Sequence, residues 1–573
     1  MKTRLFLAGI ILSLLFEKKG EVFAQYNEWT WMAGDNSTGQ PGVYGTQGVS
    51  APTNKPGARY EGGGEWIDLQ GNFWHFGGGQ TVTNDLWKYD PVTNEWTWMK
   101  GSATAGAAGV YGTMGVPNIA NTPGARGYGS ATCVDLQGNF WLFGGYGTGT
   151  HNDLWKYDPV SNMWTWMSGT QLLNQAGTYG TKGVPAAANK PGGRSETDAM
   201  WADAAGNIWM FGGIGFLGTF NDLWKFNPAT NQWTWMSGSN VINQPGVYGT
   251  QGVPAPANVP GARFVYSSWK DLSGNFWIFG GYDGSSIYFD DLWKYDPGTN
   301  QWTWMKGTNG AGNISGTYGT KCVDASANNP PAVYENRARW EDDCGNFWEW
   351  GGFDANGGVK ARNDLWKYTH ATGNWTWVSG ANTAGQPGVY GAKGVSAPTN
   401  IPGARLGNLP FRRPNTNEFW FVGGGLLPNE FNDMWRYVPD KPTASFTFTP
   451  NNGCAPATVA FTNTSTPGCN EIKSQAWNFG DPGSGANNTS TLTNPSHIFN
   501  TPGTYTVQVV VTSCTGSKDS ITQTVTVITC GFTATATPTN ISCNGQCTGS
   551  AAAAATGGSP AYTYLWNNGQ TTQ

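Results

Sequence analysis

Arginine recurs at one position of a segment that repeats along this chain. Counting back twelve residues from the Gly, or Asn417, that precedes runs such as Phe-Trp-Leu-Phe gives Arg59, Arg126, Arg194 and Arg405. Arg263 lies one residue out of register, and the fifth repeat has Val333 instead. Guanidinium groups bind carboxylates and sulfates through paired N–H donors. The arginines therefore form either a ring that binds carboxylated or sulfated sugars or a set of structural side chains that hold a loop.

Further charged residues follow these positions at every second residue. They are Glu61 and Glu65 in the first repeat, Glu196 and Asp198 in the third, and Glu335, Arg337, Arg339 and Glu341 in the fifth. Alternation places each set on one face of a strand, and charges are costly between packed sheets. We therefore expect them to line a central channel, where they bind a carbohydrate or a cation or are merely solvated. Carboxylates such as Glu61, Glu196 or Glu335 are also the acid and base that a glycosidase needs.

Two cysteines are confined to the fifth repeat. Cys322 replaces a repeated Gly, and Cys344 precedes Gly-Asn-Phe-Trp, so we predict a Cys322–Cys344 disulfide. Cys133 has no evident partner and is predicted to be a buried thiol. Six cysteines near the C-terminus allow fifteen pairings: we predict Cys543–Cys547 and leave open the pairing of Cys454, Cys469, Cys514 and Cys530.

The composition indicates an all-β protein. Charged residues are 12% of the 573, against roughly 25% in ordinary globular proteins, whereas Gly (83), Trp (31) and Tyr (22) are abundant. The net charge of −5 and the absence of Lys/Arg runs argue against a nucleic-acid partner or an anionic membrane surface.

The N-terminus has the pattern of a secretory signal peptide. Lys2 and Arg4 precede an apolar run from Leu5 to Phe16, and Val22-Phe23-Ala24 suits cleavage after Ala24, so residues 1–24 are expected to be removed. No later stretch is apolar enough to span a bilayer. Export to an oxidising compartment favours disulfides.

The repeat has a period of 67 to 73 residues and four short strand candidates per unit. In the second unit these are Gly127 to Leu136, Phe140 to Phe143, Asp153 to Tyr157 and Trp164 to Met167. Turns rich in Pro, Asn and Asp connect them.

These units resemble the kelch repeat of β-propellers such as the galactose oxidase central domain. The resemblance rests on Tyr-Asp-Pro, on the Trp of the last strand, and on paired glycines at Gly77-Gly78, Gly144-Gly145, Gly212-Gly213, Gly280-Gly281, Gly351-Gly352 and Gly423-Gly424. Kelch units are nearer ~50 residues; each unit here carries an insert, GVYGTxGVxxxxNxPGAR, between its blade and the preceding one. The inserts form either a concave aromatic surface for glycans or peptides, or packing that lengthens the blades.

The first Trp-Thr-Trp, at Trp29, has no Asn-Asp-Leu-Trp before it, and the last Asn-Asp-Met-Trp, at Asn432, has no Trp-Thr-Trp after it. We therefore predict a six-bladed propeller over residues 25–440 in which Trp29 to Met32 completes the last blade. The alternative is that this segment is a remnant of a lost unit.

The composition changes after Lys441. Ala476 to Asp481, Asn494 to Phe499 and Pro502 to Val507 resemble the PKD domain, an immunoglobulin-like β-sandwich, which we place at 441–529 with Trp477 in its core. Residues 530–573 resemble an incomplete SprB-type repeat of Bacteroidetes surface adhesins.

Cofactor chemistry has little support in the residues. Copper radical chemistry as in galactose oxidase needs two His and two Tyr at one metal, but His75, His151, His370 and His497 occupy unrelated positions. No phosphate loop or Cys-x-x-Cys zinc pattern is present. We expect no cofactor, with calcium dependence left open.

These features together predict a secreted or cell-surface protein whose propeller binds an extracellular glycan or protein without catalysis. The alternatives are a carbohydrate-active enzyme that uses channel carboxylates, and a scaffold without a small ligand.

Overall fold

The computed structural model describes residues 27–79, 82–335, 338–354, 360–426, 428–540, 545, 549–557 and 562–572. The predicted signal peptide, Arg337 and the predicted Cys543–Cys547 bond lie outside these residues. The described chain is nearly all β, as predicted, with one 3-10 helix, Pro482–Asn488.

The first 31 strands in the described part of the chain precede residue 439. They are β1 (Glu28–Ala33), β2 (Gly64–Ile67), β3 (Phe73–Gly78), β4 (Thr83–Asp90), β5 (Glu95–Lys100), β6 (Ala131–Val134), β7 (Phe140–Phe143), β8 (Leu154–Asp158), β9 (Met163–Ser168), β10 (Ala199–Ala202), β11 (Ile208–Phe211), β12 (Ile214–Gly215), β13 (Gly218–Thr219), β14 (Leu223–Asn227), β15 (Gln232–Ser237), β16 (Ser267–Lys270), β17 (Phe276–Phe279), β18 (Leu292–Asp296), β19 (Gln301–Lys306), β20 (Val333–Tyr334), β21 (Ala338–Glu341), β22 (Phe347–Trp350), β23 (Phe353–Asp354), β24 (Lys360–Ala361), β25 (Leu365–Thr369), β26 (Asn374–Ser379), β27 (Leu409–Arg412), β28 (Phe419–Val422), β29 (Gly425–Leu426), β30 (Asn429–Glu430) and β31 (Met434–Val438).

Within the described residues these strands build six four-stranded antiparallel sheets, which we number blades one to six. From the innermost to the outermost strand they are β2-β3-β4-β5, β6-β7-β8-β9, β10-β11-β14-β15, β16-β17-β18-β19, β21-β22-β25-β26 and β27-β28-β31-β1. The innermost strands contact one another in a closed cycle, β2, β6, β10, β16, β21, β27 and back to β2. The sheets are therefore the blades of a propeller around a central axis.

The N-terminal strand closes the ring. In blade six, β1 pairs antiparallel with β31, so that Trp29 lies opposite Tyr437 and Trp31 opposite Trp435. Trp29 is 2% exposed and packs against Tyr437, Phe421 and the Trp350 ring of blade five. The predicted completion of the last blade by Trp29 to Met32 is confirmed.

Aromatic stacking joins neighbouring blades near the axis. A Trp or Phe on the innermost strand of one blade lies flat on a Phe from the second strand of a neighbouring blade. The pairs are Trp66–Phe140, Trp201–Phe276, Trp269–Phe347, Trp340–Phe419 and Phe411–Phe73, with centroids 4.6–5.2 Å apart and ring planes within 10°. Each such pair contributes about 0.5–1.5 kcal/mol beyond the area that it buries.

Each insert lies along the outermost strand of the blade that follows it. One backbone N–H of every insert donates to a carbonyl of that strand: Gly48 to Trp98, Gly115 to Trp166, Gly183 to Trp235, Gly252 to Trp304, Cys322 to Trp377 and Gly394 to Trp31. The Tyr of each insert also packs on two Trp rings of the same blade, as Tyr44 does on Trp87 and Trp98. The inserts thus cover blade edges that would otherwise be open, which favours the alternative in which they lengthen the blades.

Residues 443–528 form a two-layer sandwich. Its strands are β32 (Phe446–Thr449), β33 (Gly453–Cys454), β34 (Ala457–Asn463), β35 (Ile472–Asn478), β36 (Thr489–Ser490), β37 (Ser496–Phe499), β38 (Gly503–Ser513) and β39 (Lys518–Ile528), in sheets β32-β34-β37 and β33-β39-β38-β35-β36. Trp477 is 2% exposed in the core beside Phe461, as predicted. β40 (Phe532–Thr539) and β41 (Ser550–Gly557) form a separate exposed hairpin.

The disulfides differ from the prediction. Cys322 pairs with Cys469 and Cys344 with Cys514, so the predicted Cys322–Cys344 bond is wrong; Cys454 pairs with Cys530. Cys322 lies in the insert, against the outermost strand of blade five, and Cys344 lies in the loop between β21 and β22, two or more strand spacings of roughly 4.8 Å away. Both face the sandwich domain instead of each other. Cys133 is a free, half-buried thiol, and burial raises its pKa.

Candidate functional site

Five blades contain a buried arginine–aspartate pair. They are Arg59–Asp85, Arg126–Asp153, Arg194–Asp222, Arg263–Asp291 and Arg405–Asp433. In blade two, Arg126 Nη1 donates to Asp153 Oδ1 at 2.7 Å and Nη2 to Oδ2 at 2.9 Å, and neither side chain is exposed. Burial alone would raise the pKa of Asp153, but the Arg126 guanidinium outweighs it and holds that pKa well below its usual value.

The same arginines hold the loop that leads into the innermost strand. Arg126 Nε donates to Gly124 O, and Nη1 also donates to Gly144 O of the first paired glycine. With these bonds and the carboxylate, the guanidinium has its partners inside the protein. These contacts favour the loop-holding alternative for the arginines, including Arg263 despite its shifted register.

The aspartate partners were missed in the sequence although their signal is regular. Every Asn-Asp-Leu-Trp-type motif supplies the Asp, every insert supplies a Tyr, and the two meet in each blade. In blade one, Tyr44 Oη donates to Asp85 Oδ2 at 2.7 Å, and Trp87 Nε1 donates to the same oxygen. The insert tyrosines are thus committed to the blades and do not form a free aromatic surface.

Blade five departs from this network because Val333 takes the arginine position. Burial raises the pKa of Asp364 there, and Arg362 only partly offsets it. Arg362 Nη1 donates to Tyr318 Oη, which bonds Asp364 in turn. On β22, the strand that pairs with β25, burial and the nearby Asp364 charge raise the pKa of Glu349 to about 8.

A ring of backbone hydrogen bonds surrounds the axis just before the innermost strands. Each blade contributes one residue with a positive φ to this ring: Glu61 (48°), Tyr128 (47°), Glu196 (51°), Val265 (51°), Glu335 (53°) and Gly407 (65°). Five N–H to O=C bonds of 2.9–3.2 Å link them around the ring, for example Glu61 N to Gly407 O. The glutamates of this ring have positive φ, whereas the residues of a strand have strongly negative φ. They are therefore not part of the innermost strands, and the expected alternation from Glu61 to Glu65 does not extend through them.

A cavity of about 440 Å³ lies at the other ends of the innermost strands. Charged side chains from four blades line it, namely Glu65, Lys270, Arg339, Glu341 and Arg412. Trp66, Trp201, Trp269 and Trp340 form much of its apolar wall. Of the predicted residues, the structure thus brings Glu65, Arg339 and Glu341 together, whereas Glu61, Glu196 and Glu335 belong to the backbone ring and Asp198 is buried beside the cavity.

Ion pairs and hydrogen bonds to backbone carbonyls hold the basic groups of the cavity. Arg339 Nη2 reaches across the axis to Glu65 Oε1 at 3.5 Å and donates to Asp198 O at 3.2 Å. Lys270 Nζ donates to Ala202 O at 2.9 Å, and Arg412 pairs with Asp343. Burial raises the pKa of Glu341 to about 8, so its carboxyl is mostly protonated at neutral pH and can donate a hydrogen bond. Lys270 and Arg412, absent from the predicted site, add positive charge.

No cluster of three or more His, Cys, Asp or Glu side chains suited to a metal ion occurs among the described residues. In the same residues, no helix has the length and apolar character needed to cross a membrane.

Comparison with protein families gives four matches along the chain. Residues 203–240 and 273–303 match the Kelch motif, 439–529 match the PKD domain, and 535–571 match the SprB repeat. Among curated proteins, none matches this chain. PKD and SprB domains are typical of extracellular proteins. The chain is therefore a kelch-type β-propeller followed by a PKD domain and a SprB repeat, a combination that fits a surface or adhesion-type protein.

Proposed function

We propose that this protein is a secreted or cell-surface binding protein whose propeller holds acidic glycan groups in the axial cavity. The carrying observation is the donor set of that cavity, where Lys270, Arg339, Arg412 and the protonated Glu341 surround about 440 Å³. The PKD and SprB domains and the three disulfides support an extracellular location.

The ligand class follows from the donors. Guanidinium and ammonium groups favour carboxylate or sulfate oxygens, and a carboxyl that keeps its proton adds a neutral donor. The Trp side chains of the wall are 3–5% exposed and add only a narrow apolar edge to it, because their faces lie on Phe rings of neighbouring blades. Arg339 is oriented by Glu65, so it is pre-positioned before a ligand arrives.

The experiment is a binding screen of the full chain against immobilised uronate, sialylated and sulfated glycans, followed by calorimetry on each positive glycan. Lys270→Ala and Arg339→Ala should each weaken binding at least tenfold, whereas Lys190→Ala, in an insert away from the cavity, should leave it unchanged. Undiminished binding in both cavity variants would refute this assignment of the site.

A second candidate function is glycan cleavage. The observation that favours it is the contrast between Glu341, which keeps its proton, and Glu65, which accepts a hydrogen bond from Arg339. Two carboxyl groups in environments that push their pKa values apart suit the roles of acid and base. Product analysis on every glycan that binds separates the two: cleavage lost in both Glu341→Gln and Glu65→Gln supports the enzyme, and intact glycan supports binding alone.

A further inference from the structure

Two disulfides fasten the PKD domain to blade five. Cys469 bonds Cys322, in the insert that lies on the outermost strand β26, and Cys514 bonds Cys344, in the loop between β21 and β22 near the axis. The domain is thus attached to one blade at both its outer and its inner side.

Polar contacts fill the space between these bonds. Lys367 Nζ donates to Glu471 Oε1 at 2.7 Å and to Cys469 O at 2.9 Å, and its side chain is 2% exposed. Asn346 Nδ2 donates to the other oxygen of Glu471 at 3.0 Å. In blade six, Asn417 Nδ2 donates to Ser517 Oγ at 2.8 Å. The PKD domain is therefore docked on blades five and six, not merely tethered to them.

The third disulfide lies where the chain leaves the PKD domain. Cys530 lies two residues after the end of β39 at Ile528 and bonds Cys454, whose strand β33 pairs with β39. From Cys530 one covalent route runs through Cys454 and Cys469 to Cys322. Another runs along the backbone to Cys514 and on to Cys344.

The direct backbone connection between the two domains joins the PKD domain to the end of strand β31. β31 ends at Val438, and the PKD domain begins at β32 only a few residues later. β31 is the strand that pairs with β1 to close the propeller. Tension through residues 439–445 would pull at one end of β31 and break its ladder one hydrogen bond at a time.

We infer that this chain is built to carry tension, and that pulling force on the segment beyond Cys530 enters the propeller through blade five and bypasses the closure of the ring. Both covalent routes from Cys530 reach blade five without passing through residues 439–445. This role is separate from ligand binding and holds whatever the axial cavity contains.

The test is single-molecule pulling of the full oxidised chain between its C-terminal end and a click-reactive amino acid at Val160, which is 93% exposed in the turn between β8 and β9. A Cys469→Ser/Cys514→Ser variant removes both bonds to blade five. We expect its propeller to rupture at lower force than the wild type and its final extension to be about 400 Å longer, at roughly 3.4 Å per residue.

The matched control is Cys454→Ser/Cys530→Ser, which also removes two cysteines but keeps both bonds to blade five. It should retain the wild-type propeller rupture force and gain only about 80 Å of extension at the same length per residue. If the first variant does not fold, reduction of folded wild-type molecules in the instrument makes the same comparison. Equal propeller rupture forces with and without the blade-five bonds would overturn the inference.

Discussion

Arg126 and Asp153 share two hydrogen bonds in a site where neither side chain touches solvent. Four other blades repeat this pair, and each instance ties the loop before the innermost strand to the start of the third strand. The pair therefore holds a blade together from within.

Removing one member of this pair should be more damaging than removing both. Asp153→Leu leaves a buried guanidinium without its counter-charge and should lower the free energy of unfolding by about 3–5 kcal/mol. Arg126→Met/Asp153→Leu, which removes both charges, should cost less. Chemical denaturation of the three proteins measures this, and a double variant less stable than Asp153→Leu would contradict the expectation.

The closure strand should depend on Trp29. Trp29→Ala removes a ring that contacts Trp350, Phe421 and Tyr437 and should cost about 3–5 kcal/mol. Hydrogen exchange should increase in β31 and β28. Trp233→Ala, at the matching position of blade three, is the control, because its core cluster contains no residue of blade six; it should loosen its own blade while leaving β31 protected. Unchanged exchange of β31 in Trp29→Ala would contradict this role.

Stability should fall as the pH rises because of Glu349. Its pKa is raised to about 8 by burial and by the Asp364 charge, so between about pH 5 and pH 8 the folded state keeps a proton that the unfolded state loses. Glu349→Gln should thus gain on the order of 4 kcal/mol relative to wild type between pH 5 and pH 8.5, at about 1.4 kcal/mol per pH unit over the three units to pH 8. Thermal unfolding across this range tests it, and parallel curves for the two proteins would show that Glu349 does not titrate as described.

Disulfide mapping gives a direct test of the domain attachment. Non-reducing peptide mass spectrometry should recover cross-linked peptides that contain Cys322 with Cys469, Cys344 with Cys514 and Cys454 with Cys530. Alkylation of the folded protein should leave Cys133 slow to react, because burial raises the pKa of its thiol. A peptide that joins Cys322 to Cys344 would contradict the docking of the PKD domain.

The sequence pattern was sufficient to predict the blades because every strand repeats. The unpaired half-motifs at Trp29 and Asn432 also predicted which strand closes the ring. The partners of the arginines were not foreseen, since period-two reasoning stays within one strand while Arg126 and Asp153 come from separate parts of the blade. The positive φ values at Glu61, Glu196 and Glu335 broke the same reasoning. The disulfides escaped prediction because docking between two domains leaves no periodic trace in either of them.

Each insert precedes the blade that it covers, so residues 40–100 form one contiguous segment that carries both a complete sheet and the cover of its outer edge. A duplication or loss of one such segment would change the circumference of the ring without leaving an outer strand uncovered. Each of these extended repeats is therefore a unit that recombination can add or remove, to give a wider or narrower ring in which every outermost strand stays covered.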